Sequence, residues 1–162
     1  MPRSAQNAVD AGLFLNDRDA AVGWAAISAA SRAEDGARHM GLSLAQLRLL
    51  AAVAWRSSNP SVLADVLDMK PPSVTRMADR LVELGLVERS VDGIDRRRVN
   101  HVVTERGSEV LFESLRAIAS SVRAVLAVLG ADSAAAEDGL LAWTRAASLH
   151  FWQDDREPGW PS

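Results

Sequence analysis

A chain of 162 residues, 48% hydrophobic and 24% charged, is long enough for one compact domain, or one domain with a helical arm, and can bury a sizeable core. With no cysteine it can form no disulfide, thiolate metal site or thiol redox switch, and a formal charge of −3 excludes a surface coated in positive charge. No run comes near the roughly 18 apolar residues that a membrane span needs, and Met1-Pro2-Arg3-Ser4 leads into no apolar signal segment, so a cytoplasmic protein without a membrane partner is expected.

In chain order, residues 8–39 are alanine-rich, with Phe14, Val22, Trp24 and Ile27 spaced along a predicted helix that breaks near Asn16 and ends near Gly41. Ser43 opens a second helix, and Gln46 three positions on completes a capping box. Leu44, Leu47, Leu50, Ala51 and Ala54 keep helical spacing up to Trp55. Arg56-Ser57-Ser58 is a short connection with room for one brief strand. Asn59-Pro60 starts a third, short helix, since asparagine caps and proline loses nothing at the first helical position. Leu63, Val66 and Leu67 form its buried edge, and it ends near Met69.

Pro71-Pro72 then breaks the chain and restarts the helical direction. Val74, Met77, Ala78, Leu81 and Leu84 step by three and four, an inward stripe, and Gly85 followed by Leu86 stops the helix. Two short helices joined by a tight turn make a helix-turn-helix. Residues 86–91 and 98–103 are rich in β-branched side chains, with Asp92-Gly93 as turn chemistry between them, which predicts a hairpin with a charged tip. From Thr104 the period is helical again. Leu111, Leu115, Ile118, Val122, Val125 and Leu129 form a seam for packing helix on helix. Gly130 stops it, and Asp132 or Ser133 caps a last helix running to about Trp152. The predicted class is mainly α with a small β-hairpin wing. A winged helix-turn-helix core covers 42–103, a helical dimerisation region covers 1–41 and 104–155, and 156–162 form an irregular tail.

Charge is unevenly spread. Between Lys70 and Arg106 eight basic residues face six acidic ones, so this stretch is +2 and the remainder −5. The helix from Pro71 leaves Ser73, Thr75, Arg76, Asp79, Arg80 and Glu83 off the apolar stripe. A helix fits the major groove of B-DNA, where residues near its N-terminus reach base edges. Ser73, Thr75 and Arg76 are so placed, Arg76 as a bidentate partner for guanine and Pro72 as apolar surface for a thymine methyl. Arg80, one turn on, would reach phosphate or the groove wall. Taken alone, such a face is equally a solvated one. The wing tip Asp95-Arg96-Arg97-Arg98 shifts the balance, because a narrow minor groove attracts an inserted arginine that Asp95 could hold extended.

These segments resemble the MarR (multiple-antibiotic-resistance regulator) family at the family's spacing. They are Leu63-Ala64-Asp65-Val66-Leu67, Pro71-Pro72-Ser73-Val74-Thr75-Arg76, Asp79-Arg80-Leu81, Gly85-Leu86-Val87-Glu88-Arg89, Asp95-Arg96-Arg97 and Val103-Thr104-Glu105-Arg106-Gly107. The resemblance covers roughly residues 42 to 112. It implies a winged helix-turn-helix inside a dimer built from N- and C-terminal helices, with Asp95 and Arg97 at the wing positions where the family uses an aspartate and a groove-inserted arginine. Three places depart from the pattern. Lys70 stands where a capping serine is usual, a loss of about 1 kcal/mol offset by a phosphate contact. Asp68 replaces a common glycine, and Asn100 and His101 interrupt a strand that is normally apolar. By alternation His101 shares a face with Val99 and Val103 and points toward the protein, as a satisfied histidine rather than a ligand.

His39, His101 and His150 are widely separated, with no ligand spacing for a metal and no motif for a cofactor. In the family, Trp24 and Trp55 would border a cleft between arm and core. They are candidates for stacking on an aromatic effector, against the plainer reading as core or interface. Trp143 and Trp152 are assigned to the dimer interface. The expected function is sequence-specific regulation of transcription. A homodimeric repressor would bind a pseudo-palindromic double-stranded operator near its own gene and be released by a small-molecule effector. The alternative is a winged-helix module that binds protein without operator specificity. No nucleophile–base–acid set or phosphate-cradling glycine loop supports an enzyme.

Overall fold

The computed structural model describes residues 17–55, 59–91 and 99–151. The elements are α1 (Arg18–His39), α2 (Leu44–Trp55), α3 (Pro60–Leu67), α4 (Pro71–Glu83), β1 (Val87–Val91), β2 (Val99–Val103), α5 (Glu105–Leu126), a 3₁₀ turn (Ala127–Asp132) and α6 (Ser133–Phe151). The brief strand considered for 56–58 and the wing tip at 92–98 lie outside the described residues, as does the tail from 152.

Local chemistry sets the helix ends. Asp17 caps α1 by accepting from the amides of Asp19 and Ala20. The capping box of α2 is reciprocal: Ser43 N–H donates to Gln46 Oε1 at 2.9 Å, and Gln46 N–H donates to Ser43 Oγ at 3.2 Å. Asn59 accepts from Ser61 and Val62, with Pro60 at the first helical position. Helix α3 then stops on Asp68 in the left-handed region (φ 51°), with Met69 N–H reaching back to the Ala64 carbonyl. Aspartate, a short polar side chain, is among the few that tolerate this conformation where glycine is the usual choice. Helix α4 closes the same way on Gly85, with Leu86 N–H donating to the Leu81 carbonyl.

The core sits around α2, which touches α1, α3, α4, β2 and α5. Leu47, Leu49, Leu50, Ala52 and Val53 are all buried, a wider face than the spacing of Leu44, Leu47 and Leu50 suggested. A helix apolar nearly all round is buried nearly all round. Leu63, Ala64 and Leu67 of α3 and Val74, Ala78 and Leu81 of α4 pack against it, with Leu86 and Val87 from the wing and Leu111 from α5. Strands β1 and β2 form an antiparallel pair running from Val87↔Val103 to Val91↔Val99. His101 lies on the inward face and is buried, as the alternation required.

The arm consists of α1 lying along α5, followed by α6 folded back on α5. Ala37 is fully buried, and beside it Gly36 sits so close to Ile118 that a Cβ there would strike the isoleucine side chain. Two expectations are corrected. Asp132 lies within a 3₁₀ turn and Ser133 is already helical rather than a cap after a clean stop, because that turn carries the chain from α5 into α6, bent at Gly130 (φ 59°, ψ −119°). The stretch Glu105–Ala147 also holds an 18-residue window of mean hydropathy 1.4 with few charges, so by length and composition an apolar run of spanning length is present. Valine, leucine and isoleucine supply most of that hydropathy, with Val125, Leu126, Val128 and Leu129 in a near-continuous block, and the bend at Gly130 interrupts the stretch.

Most of the arm's large apolar side chains face outward in the single chain. Val22, Trp24 and Ile27 on α1, Phe112, Leu115 and Val125 on α5, and Leu140, Leu141 and Trp143 on α6 are exposed, and Val128 in the turn is 87% exposed. Of the seam expected along α5, Leu111 alone is fully buried, while Leu115, Val125 and Leu129 are open. Large contiguous apolar patches on a protein surface generally mark contact sites.

Candidate nucleic-acid interface

Helix α4 is strongly two-sided. Val74, Ala78 and Leu81 are buried, Met77 and Leu84 pack at the edge of the core, and Pro71, Pro72, Thr75, Arg76, Arg80 and Glu83 are exposed. Of the expected DNA-contacting residues, Pro72, Ser73, Thr75, Arg76 and Arg80 are thus gathered on one helix, with Lys70 just before its first turn and Ser73 half-buried. Asp95, Arg96 and Arg97 lie outside the described residues.

The start of α4 explains why it manages without a capping side chain. Lys70 is extended (φ −68°, ψ 133°) and makes no side-chain cap bond. Pro71 and Pro72 have no N–H, so two of the amides that a cap would satisfy do not exist. The next two, of Ser73 and Val74, donate to the Lys70 carbonyl at 2.9 and 3.3 Å. The full penalty for a missing cap therefore does not apply here.

Four polar side chains of α4 are held in place. Thr75 donates its hydroxyl to the Pro71 carbonyl at 3.1 Å. Arg80 pairs with Glu83 one turn along, at 2.8 Å. Asp79 accepts from Arg89 of β1 at 2.5 Å, tying the helix to the wing. Both members of that pair are half-exposed, so its share of stability is modest, under about 1 kcal/mol. Its effect is on geometry, since it fixes the strand that leads into the wing tip relative to the helix. Nothing in the motifs that hold Asp79 and Arg89 paired the two. Their opposite charges ten residues apart, across the Gly85 turn, were the available signal.

Thr104 closes the other end of the wing. Its Oγ1 donates to the Gly85 carbonyl at 2.7 Å and accepts from Gly107 N–H at 2.9 Å, while its own N–H donates to the Leu86 carbonyl. One residue joins the end of β2, the start of α5 and the turn after α4. Gly107 lies against that turn, where a Cβ would fall inside the Leu86 carbonyl.

Trp24, 61% exposed on α1, and Trp55, at the end of α2, belong to different elements. Neither lines the cleft of about 230 Å³ between α5 and α6, which is walled by Leu115, Ile118, Val122, Leu126, Leu140 and Leu141 together with Arg123 and Glu137. Arg123 grips one Glu137 oxygen through Nε (2.9 Å) and a terminal nitrogen (2.6 Å). These hydrogen bonds hold the Glu137 carboxyl below its ordinary range. The pair is therefore intact above the usual glutamate pKa and is lost as pH falls through the depressed one. A carbon-detected NMR titration should place the Glu137 midpoint below that of a free glutamate, and Arg123→Gln should return it to normal. Among the described residues no three His, Asp or Glu side chains gather in a way that could hold a metal ion.

Residues 40–98, from the end of α1 to the wing, match the model of the MarR family. The winged-helix region is thus similar to the MarR family. The HTH-type transcriptional repressor MdtR of Bacillus subtilis is 36% identical over 78 residues, covering 48% of this chain and 50% of MdtR. The chain thus aligns with about half the length of the curated relatives it matches. The crystal structure of YusO from Bacillus subtilis superposes with a TM-score of 0.63 at 26% identity, over 86% of this chain and 96% of that one. The apo form of MarR from E. coli superposes with a TM-score of 0.67 at 23% identity, over 79% and 96%. The MarR-family likeness of the fold therefore extends from the winged helix into the arms.

Proposed function

We propose that this chain is a cytoplasmic, homodimeric regulator of transcription that binds a pseudo-palindromic operator near its own gene and represses it. The observation that carries this reading is α4, which buries one apolar stripe and presents Pro72, Thr75, Arg76 and Arg80 outward on a helix locked to the wing by Asp79 and Arg89. A helix so mounted fits the major groove, and the Arg96-Arg97 wing tip supplies the charge for an adjacent minor groove. The named activity of MdtR as a transcriptional repressor supports the same reading. The exposed apolar faces of α1, α5 and α6 are what a second copy would cover, so 1–41 and 104–155 serve as the dimerisation region and 42–103 as the DNA-binding core. Two such cores, related by a two-fold axis, would meet half-sites about one helical turn apart. Release by a small aromatic effector at Trp24 and Trp55 completes the proposal.

Fluorescence anisotropy with the DNA flanking the gene, across a salt series, tests it. The wild type should prefer that DNA to a scrambled duplex, with log K falling against log salt at about −0.9 per neutralised phosphate. Arg76→Ala should relax sequence preference by about 1–3 kcal/mol, and Arg97→Ala should weaken binding to every duplex. A dimer that shows no preference at low salt would instead be a protein-binding winged helix.

A further inference from the structure

The N-terminal end of α4 is short of free backbone hydrogen-bond donors. A helix start ordinarily offers its first amides to a phosphate. Here Pro71 and Pro72 have none, and those of Ser73 and Val74 are taken by the Lys70 carbonyl. Thr75 is exposed, yet its hydroxyl proton is turned back along the helix onto the Pro71 carbonyl. That leaves Thr75 Oγ1 as an acceptor only, with the γ-methyl as the apolar part of the side chain. Arg80 is engaged by Glu83 and Asp79 by Arg89. The apolar surface offered outward at this end is therefore the Pro72 ring and the Thr75 methyl, with the charged Lys70 and Arg76 beside them.

Resting on the operator-binding reading above, we propose that Thr75 is a methyl reader. Its γ-methyl, with the Pro72 ring, packs on the C5-methyl of a thymine in the major groove, next to a guanine taken by Arg76. The thymine methyl is the one apolar feature on the major-groove edge of a base pair, and it separates thymine from cytosine without any hydrogen bond.

The test uses the intact dimer and a duplex that it enriches from a random-sequence pool, with thymines replaced one at a time by deoxyuridine. One thymine per half-site should weaken binding roughly fourfold on losing its methyl, the equivalent of one buried methylene. Thr75→Val keeps the methyl and drops the hydroxyl. It should retain both affinity and sensitivity to uracil. Thr75→Ser keeps the hydroxyl and drops the methyl. It should bind roughly fourfold more weakly and be indifferent to uracil at that position. Thermal melts of both variants check that each is folded. The opposite pattern, with serine tolerated and valine not, would overturn the methyl reading in favour of the hydroxyl. Specific binding without uracil sensitivity at any position would also overturn it, while leaving operator recognition standing. Enrichment of no sequence would overturn both.

Discussion

Replacing Gly107 with alanine is expected to destabilise the chain by about 3 kcal/mol or more, the upper range for overpacking. The reason is steric and local. A Cβ at 107 meets the backbone carbonyl of Leu86 rather than the end of a flexible side chain, so no rotamer change relieves it. The first turn of α5 would have to lift away from the turn after α4, breaking the bond from Gly107 N–H to Thr104 Oγ1 and straining that from Thr104 to the Gly85 carbonyl. Urea unfolding would show a lower midpoint. As an internal comparison, Gly139→Ala, at a helical site where a Cβ meets nothing within 4 Å, should be neutral or slightly stabilising. Equal behaviour of the two variants would mean that α5 does not seat on Leu86.

Leu81→Ala should cost about 2–5 kcal/mol, the range for deleting a fully buried leucine. Leu81 has no exposed surface and joins α4 to the core, and its carbonyl also receives the Leu86 N–H that closes the helix. The variant should lose operator binding through disorder of the reading helix, so binding and thermal stability should fall together. Arg76→Ala should behave oppositely, altering binding while leaving the melt unchanged, because Arg76 is exposed. That contrast separates the inner stripe of α4 from its outer face in one pair of measurements.

The parts legible from sequence are those whose causes are local. Ser43 with Gln46, Asn59 with Pro60, and Gly85 with Leu86 each satisfy orphan backbone groups within a few residues, and the structure places helix ends there. The inward stripe of α4 was legible because 3.6-residue periodicity is a property of the helix itself. Less was visible where the cause is distant or shared. Gly130 was read as a stop, whereas its left-handed conformation serves a bend that the chain crosses on a 3₁₀ turn. The Asp79–Arg89 pair depends on how β1 lies against α4, which no short window of residues reveals. The seam along α5 had the right period, but periodicity does not say which surface covers it. In the single chain Leu115, Val125 and Leu129 are open. The start at Lys70 lacks a capping side chain, and Pro71 and Pro72 remove two of the amides that such a cap would serve.

The meeting of Gly36 with Ile118 gives the arm a fulcrum. Helix α1 can come this near α5 because residue 36 has no side chain, and the fully buried Ala37 beside it leaves little slack. A bulkier residue at 36 would wedge the two helices apart, and every part of α1 beyond the crossing would swing through an arc in proportion to its distance from it. In a two-fold assembly joined through these arms, that swing would be imposed on both copies at once. Under the dimeric reading proposed above, the separation of the two cores would thus depend on the size of the side chain at position 36.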